Sequence, residues 1–129
     1  MSQQIYQALR RGANAEAATL ARQALAEGHK DTDTLSAAAL ALRATGDRET
    51  ALSTIDAAIA QMPDDAELHF LRAGMLLDTR DLGGAQAALA QTVALDPNQF
   101  GAYVVQAQMA IGRNDLDEAE RQTKLAARV

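Results

Sequence analysis

Few groupings among these 129 residues combine types that could do chemistry: two histidines, some adjacent acidic pairs, one Gly-Gly step and one Arg-Arg step. His29 and His69 could ligate a metal or move a proton, but neither has a second ligand or an orienting carboxylate at suitable spacing. Asp64-Asp65 and Asp117-Glu118 could share acid–base work. Both pairs fall where helices should begin, and there unpaired N–H groups and the positive end of the macrodipole favour carboxylates. Capping is therefore their expected role. Gly83-Gly84 follows a helix start rather than a strand, so it implies no phosphate-cradling loop. Arg10-Arg11 is too short to form a basic patch. With no cysteine there is no disulfide framework, thiolate site or sulfur nucleophile. No residue is expected to catalyse a reaction, and no cofactor or metal is expected.

The elements that must position these residues are helices. Hydrophobic residues make up 48% of the chain but aromatics only 3%, so close contact between alanine-rich helices must supply the core. The length suits one compact unit with a continuous core. A net charge of -5 and the lack of a basic face exclude a nucleic-acid partner. The opening MSQQIYQALRRG has no apolar segment after a basic one, and no run is long enough for a membrane span. A soluble, cytoplasmic protein is expected.

Hydrophobic spacing and stop signals predict eight helices. The first covers Gln3 to Arg11 and the second Glu16 to Glu27, stopped by Gly28. Thr32 or Asp33 is expected to cap the third, and Asp47 the fourth, which Pro63 ends. Asp64 or Asp65 should cap the fifth, Asp81 the sixth (Leu82 to Leu95), and Asp115 the eighth; the seventh covers Gln99 to Gly112. A shift of 34 residues superposes residue types without a gap: Ala17, Ala51, Ala85 and Ala119 align, as do Asp47, Asp81 and Asp115. A period of this length marks stacked repeats, each burying an apolar stripe against its neighbour.

These columns resemble the tetratricopeptide repeat, with repeats at about 1-31, 32-65, 66-99 and 100-129 in a single domain. The family's first-helix small residue falls on Ile5, Ala39, Ala73 and Ala107, and its closing proline on Pro63 and Pro97, with His29 in the first repeat. The sequence departs from the pattern at His69 and Arg72, where apolar residues are usual, and Arg72 suggests looser packing or a solvent-reaching side chain. The resemblance implies an all-α, right-handed superhelical α-solenoid of four antiparallel helix pairs.

It also implies that the first helices line a concave groove. Carried over by position, the groove shows Tyr6, Leu40, Arg43, Phe70, Gly74, Leu77, Val104, Gln108 and Ile111, with Asp33 and Glu67 among its polar positions. One branch of the family grips a partner's terminal carboxylate with lysines, asparagines and an arginine; those positions hold Ser2, Tyr6, Leu40, Phe70 and Gly74 here, so no such clamp is expected. The implied function is a non-catalytic scaffold that binds a protein, as a peptide or helix, on this largely apolar floor. The alternatives are a regulatory or substrate-recruiting array of a longer enzyme, and a homo-oligomerisation module. The eighth helix still shows Leu116, Ala119, Ala126 and Ala127, so self-association or a further C-terminal domain is expected to cover it.

Overall fold

The computed structural model describes Met1–Val129 and consists of eight α-helices without strands. They are α1 (Ser2–Arg10), α2 (Asn14–Ala26), α3 (Thr32–Ala44), α4 (Arg48–Gln61), α5 (Ala66–Asp78), α6 (Leu82–Leu95), α7 (Phe100–Gly112) and α8 (Leu116–Ala127). Successive helices pair antiparallel and the pairs stack into an α-solenoid. From Asn14 onward, helices of like kind begin 34 residues apart: Asn14, Arg48, Leu82 and Leu116 open the second helices, and Thr32, Ala66 and Phe100 the first.

One turn geometry accounts for this regularity. Gly12, Gly46, Arg80 and Asn114 occupy the same place in the four pairs, and all have positive φ, between 60° and 84°. In each turn the following amide closes back on the helix just ended: Ala13 N–H to Ala8 O, Asp47 to Leu42, Asp81 to Leu76 and Asp115 to Ala110, at 2.8–2.9 Å. This is the left-handed closure that glycine makes most easily. Arg80 adopts it with a side chain, against a steric penalty of about 1–2 kcal/mol. Arg80→Gly should therefore stabilise the fold by up to about 1 kcal/mol, less what glycine adds to the entropy of the unfolded chain. Chemical denaturation would read this as a raised midpoint at constant slope.

The residue after each left-handed position then caps the next helix. Asp47, Asp81 and Asp115 accept from the N–H of Thr50, Gly84 and Glu118. In the first pair this place is Ala13, which makes no side-chain cap. Asp65 caps α5. The cap of α3 is Asp31 rather than Thr32 or Asp33: its carboxylate accepts from Thr34 N at 3.0 Å and Thr34 Oγ1 at 2.7 Å. The capping residue must precede the first helical one, and Thr32 is already inside the helix. The turns between pairs use two devices. Gly28 leaves α2 at φ 82°, whereas Met62 and Asp96, each before a proline, leave α4 and α6 at φ -132° and -139°.

The interior is built from alanine, which lets helices approach closely, with a few large residues filling the gaps. Ala8, Ala17, Ala39, Ala51, Ala58 and Ala85 are inaccessible to solvent or nearly so, as are Ile5, Leu42, Ile55 and Leu89. The core falls into two clusters. One joins α1 to α4 with Leu68 and Met75 of α5; the other joins Ala73 and Leu76 of α5 with α6 and Ala102 of α7. Helix α5 thus contributes to both.

Candidate functional site

His69 and Arg72, the irregular positions of α5, have structural partners. His69 Nε2 lies 2.7 Å from Pro63 O, and since a carbonyl can only accept, that nitrogen carries the hydrogen. Tyr103, one repeat on, donates its hydroxyl to Pro97 O at 2.6 Å. The second pair has His29 in place of the proline and Leu35, which has no donor, six residues later. Donor and proline occur together because the donor ties down the carbonyl of the proline turn. Arg72 is not loose either: its Nε donates to Asp56 on α4 at 2.7 Å.

Glu118 is equally committed. It accepts from Arg121 at 2.7 and 2.9 Å and from Gln122 at 2.8 Å. Those bonds pull its carboxyl pKa down to about 2, so near neutrality it has no proton to give as a general acid.

The first helices carry the groove positions, and the structure divides them among neighbouring cavities. Arg43, Phe70, Gly74 and Leu77 line a single cavity of about 300 Å³ together with Asp78, Leu89 and Val105. It opens between α3, α5 and α7, and its wall is mostly apolar. Leu40 lines an adjoining, more polar cavity that shares Arg43 and Asp78 with the first. Val104, Gln108 and Ile111 line a separate, almost wholly apolar cavity of about 350 Å³ with Phe100, Thr123 and Ala127. Tyr6, half-buried, lies at the α1 end of this face.

Two glycines fix the shape of the larger side chains. A Cβ on Gly74 would sit 2.9 Å from Nη1 of Arg43, so the missing side chain is what lets that guanidinium lie against α5. There Arg43 Nε reaches Asp78 Oδ2 at 2.6 Å and its Nη2 reaches Oδ1 at 3.3 Å, a two-point pair across neighbouring repeats. A Cβ on Gly101 would come within 2.8 Å of Phe70 Cζ, so the Phe70 ring rests directly on the backbone of α7. Asp78 lay outside the sequence-based groove. The signal available was its place, 35 residues after Arg43, where a side chain of the next repeat can reach back.

The polar edge of this face is acidic. Asp33 and Glu67 hold matching places in the first turns of α3 and α5, both exposed. Glu67 accepts from Gln99 Nε2 at 3.0 Å. The Tyr6 phenol is raised above its usual pKa, first by burial and then by the charges of Asp33 and Glu67.

No helix is long and apolar enough to cross a membrane. No family model matches the chain, and no curated protein matches it. Solved structures do. The crystal structure of MamA superposes with a TM-score of 0.86 at 16% identity, covering 96% of this chain and 72% of that one. A MamA RS-1 ArsTM double mutant gives 0.86 at 18% identity, covering 98% and 71%. MamA from residue 41 to its end, from Desulfovibrio magneticus RS-1, gives 0.53 at 18% identity, covering 98% and 90%. At these identities the likeness is one of fold: an all-helical, solenoid-like repeat.

Proposed function

We propose that this chain is a tetratricopeptide repeat domain of four repeats, spanning 1-129, and a non-catalytic scaffold for protein partners. Its groove, from Tyr6 and Leu40 through Arg43, Phe70, Gly74 and Leu77 towards Val104, Gln108 and Ile111, takes a peptide or helix. The observation that carries this reading is the open, mostly apolar cavity around Phe70, Gly74 and Leu77. Partners captured on the immobilised chain and lost on a Phe70→Ser/Leu77→Ser variant would support it. Partners retained by that variant would move the binding surface elsewhere.

A second reading, self-association, rests on the apolar cavity of α7 and α8. Phe100 is 56% exposed and Ile111 59% exposed. At the matching surface of the third pair, Leu89 is buried and Leu77 half-buried against the second core cluster, on which Val105 of α7 also packs. The opposite end of the stack is polar, with Gln4, Gln7 and Arg11 exposed on α1 and its turn, so it offers no matching apolar face. A second copy would therefore meet this end with its own. Sedimentation over a concentration series should show a dimer that Ile111→Asp returns to monomer; a monomer at all concentrations removes this reading.

A further inference from the structure

The groove's charge narrows the class of peptide that fits it, an inference that rests on the groove reading above. The one cation lining the Phe70 cavity, Arg43, is already paired: Asp78 holds its Nε and Nη2, and Gly74 leaves it lying flat against α5. Arg48 stands farther off, on the wall of the adjoining Leu40 cavity. Nothing lining the Phe70 cavity is left to attract an acidic ligand strongly. The edge formed by the starts of α3 and α5 is the reverse. Asp33 and Glu67 sit one repeat apart on it, and neither has a cation within ion-pair distance. Glu67 is steadied by Gln99, an uncharged donor that leaves its charge in place. Tyr6 adds the face of a half-buried ring within the field of both carboxylates.

The edge is continuous with the apolar floor. Gln99 touches Glu67 on one side, and its Oε1 lies 3.4 Å from where a Cβ of Gly101 would stand, with Phe70 packed over that same glycine. Through these contacts the Glu67 end of the acidic edge and the apolar floor form one surface. A helix start explains a carboxylate at each of these places, but neither is matched there by a partner cation.

We propose that the groove selects an amphipathic basic peptide, its apolar stripe seated on Leu40, Phe70 and Leu77 and a lysine or arginine flank lying along Asp33 and Glu67. Opposite charge along the edge supplies orientation and discrimination, and the apolar floor supplies most of the affinity. Acidic peptides are rejected, because they would bring like charge against an edge with no counter-ion of its own.

The test is selection from a displayed random peptide library on the folded chain, counter-selected on the Phe70→Ser/Leu77→Ser variant. The expected pool is rich in lysine or arginine beside apolar residues at helical spacing. Peptides from it should lose about tenfold in affinity on Asp33→Asn/Glu67→Gln, and should weaken as salt rises. A pool that is neutral or acidic, or a basic pool indifferent to Asp33→Asn/Glu67→Gln, overturns the charge inference and leaves the groove reading standing. No pool enriched over the Phe70→Ser/Leu77→Ser variant overturns the groove reading itself.

Discussion

Leu42→Ala is expected to remove about 3 kcal/mol of stability, the middle of the range for a large buried aliphatic residue cut back to alanine. Leu42 is fully buried in the cluster that joins the first two helix pairs, among Ala8, Ala38, Ala39 and Ala41. Most of that cluster is alanine, whose side chains are too short to reach into the space a deleted isobutyl group leaves. The cavity term is therefore felt in full. The carbonyl of Leu42 also closes the turn into α4, by accepting from Asp47 N–H at 2.9 Å, so relaxation of the backbone there would loosen a helix junction as well. For a chain of this length the loss corresponds to a fall of about 10 °C in midpoint temperature. Calorimetry on Leu42→Ala and on Leu82→Ala makes the comparison internal. Leu82 is 55% exposed at the start of α6 and should cost less than about 0.5 kcal/mol. Equal effects at the two sites would show that the alanine-rich interior yields more readily than its packing implies.

The second large effect is on binding. Phe70→Ser with Leu77→Ser should abolish partner capture, because these two side chains form the apolar centre of the groove and flank Gly74. Both also pack against the second core cluster, so some stability is lost with them. At about 1.5–3 kcal/mol for each fully buried side chain, and less for these half-buried ones, the cost should leave the helices folded. The control is Leu52→Ser. Leu52 is half-buried on α4, packs against both clusters and lies off the groove. If capture fails on Phe70→Ser/Leu77→Ser and survives on Leu52→Ser at matched helicity, the groove is the binding surface. If both variants fail alike, capture reports stability alone.

Much of this architecture is legible in the residues. The 34-residue recurrence of Ala17, Ala51, Ala85 and Ala119 and of the capping Asp47, Asp81 and Asp115 is a local property of the chain, and the helices follow from it. Other features depend on geometry that types alone do not carry. Asp31, Thr32 and Asp33 are three capping residues in a row, and only the position of the first helical turn decides among them. Arg80 and Asn114 give no hint of left-handed backbone until they are aligned with Gly12 and Gly46. His69 looks like a defect in an apolar column; its partner is a carbonyl six residues earlier, which has no sequence signature of its own. The division of the groove positions between two apolar cavities depends on how neighbouring pairs tilt, and thus on packing summed over many side chains.

The repeated left-handed turn has a genetic consequence. A chain cut at Gly12, Gly46, Arg80 or Asn114 and rejoined at another of the four would meet the same backbone sign and the same closing hydrogen bond. Splices between the second, third and fourth pairs would also recover a capping aspartate. Duplication or deletion of a whole unit at these residues therefore asks for no new local geometry, only for a tolerable match between the faces brought together. Growth and shrinkage by whole units is the evolutionary step this turn makes easiest, with the specificity of each newly juxtaposed groove left to change afterwards by point substitution.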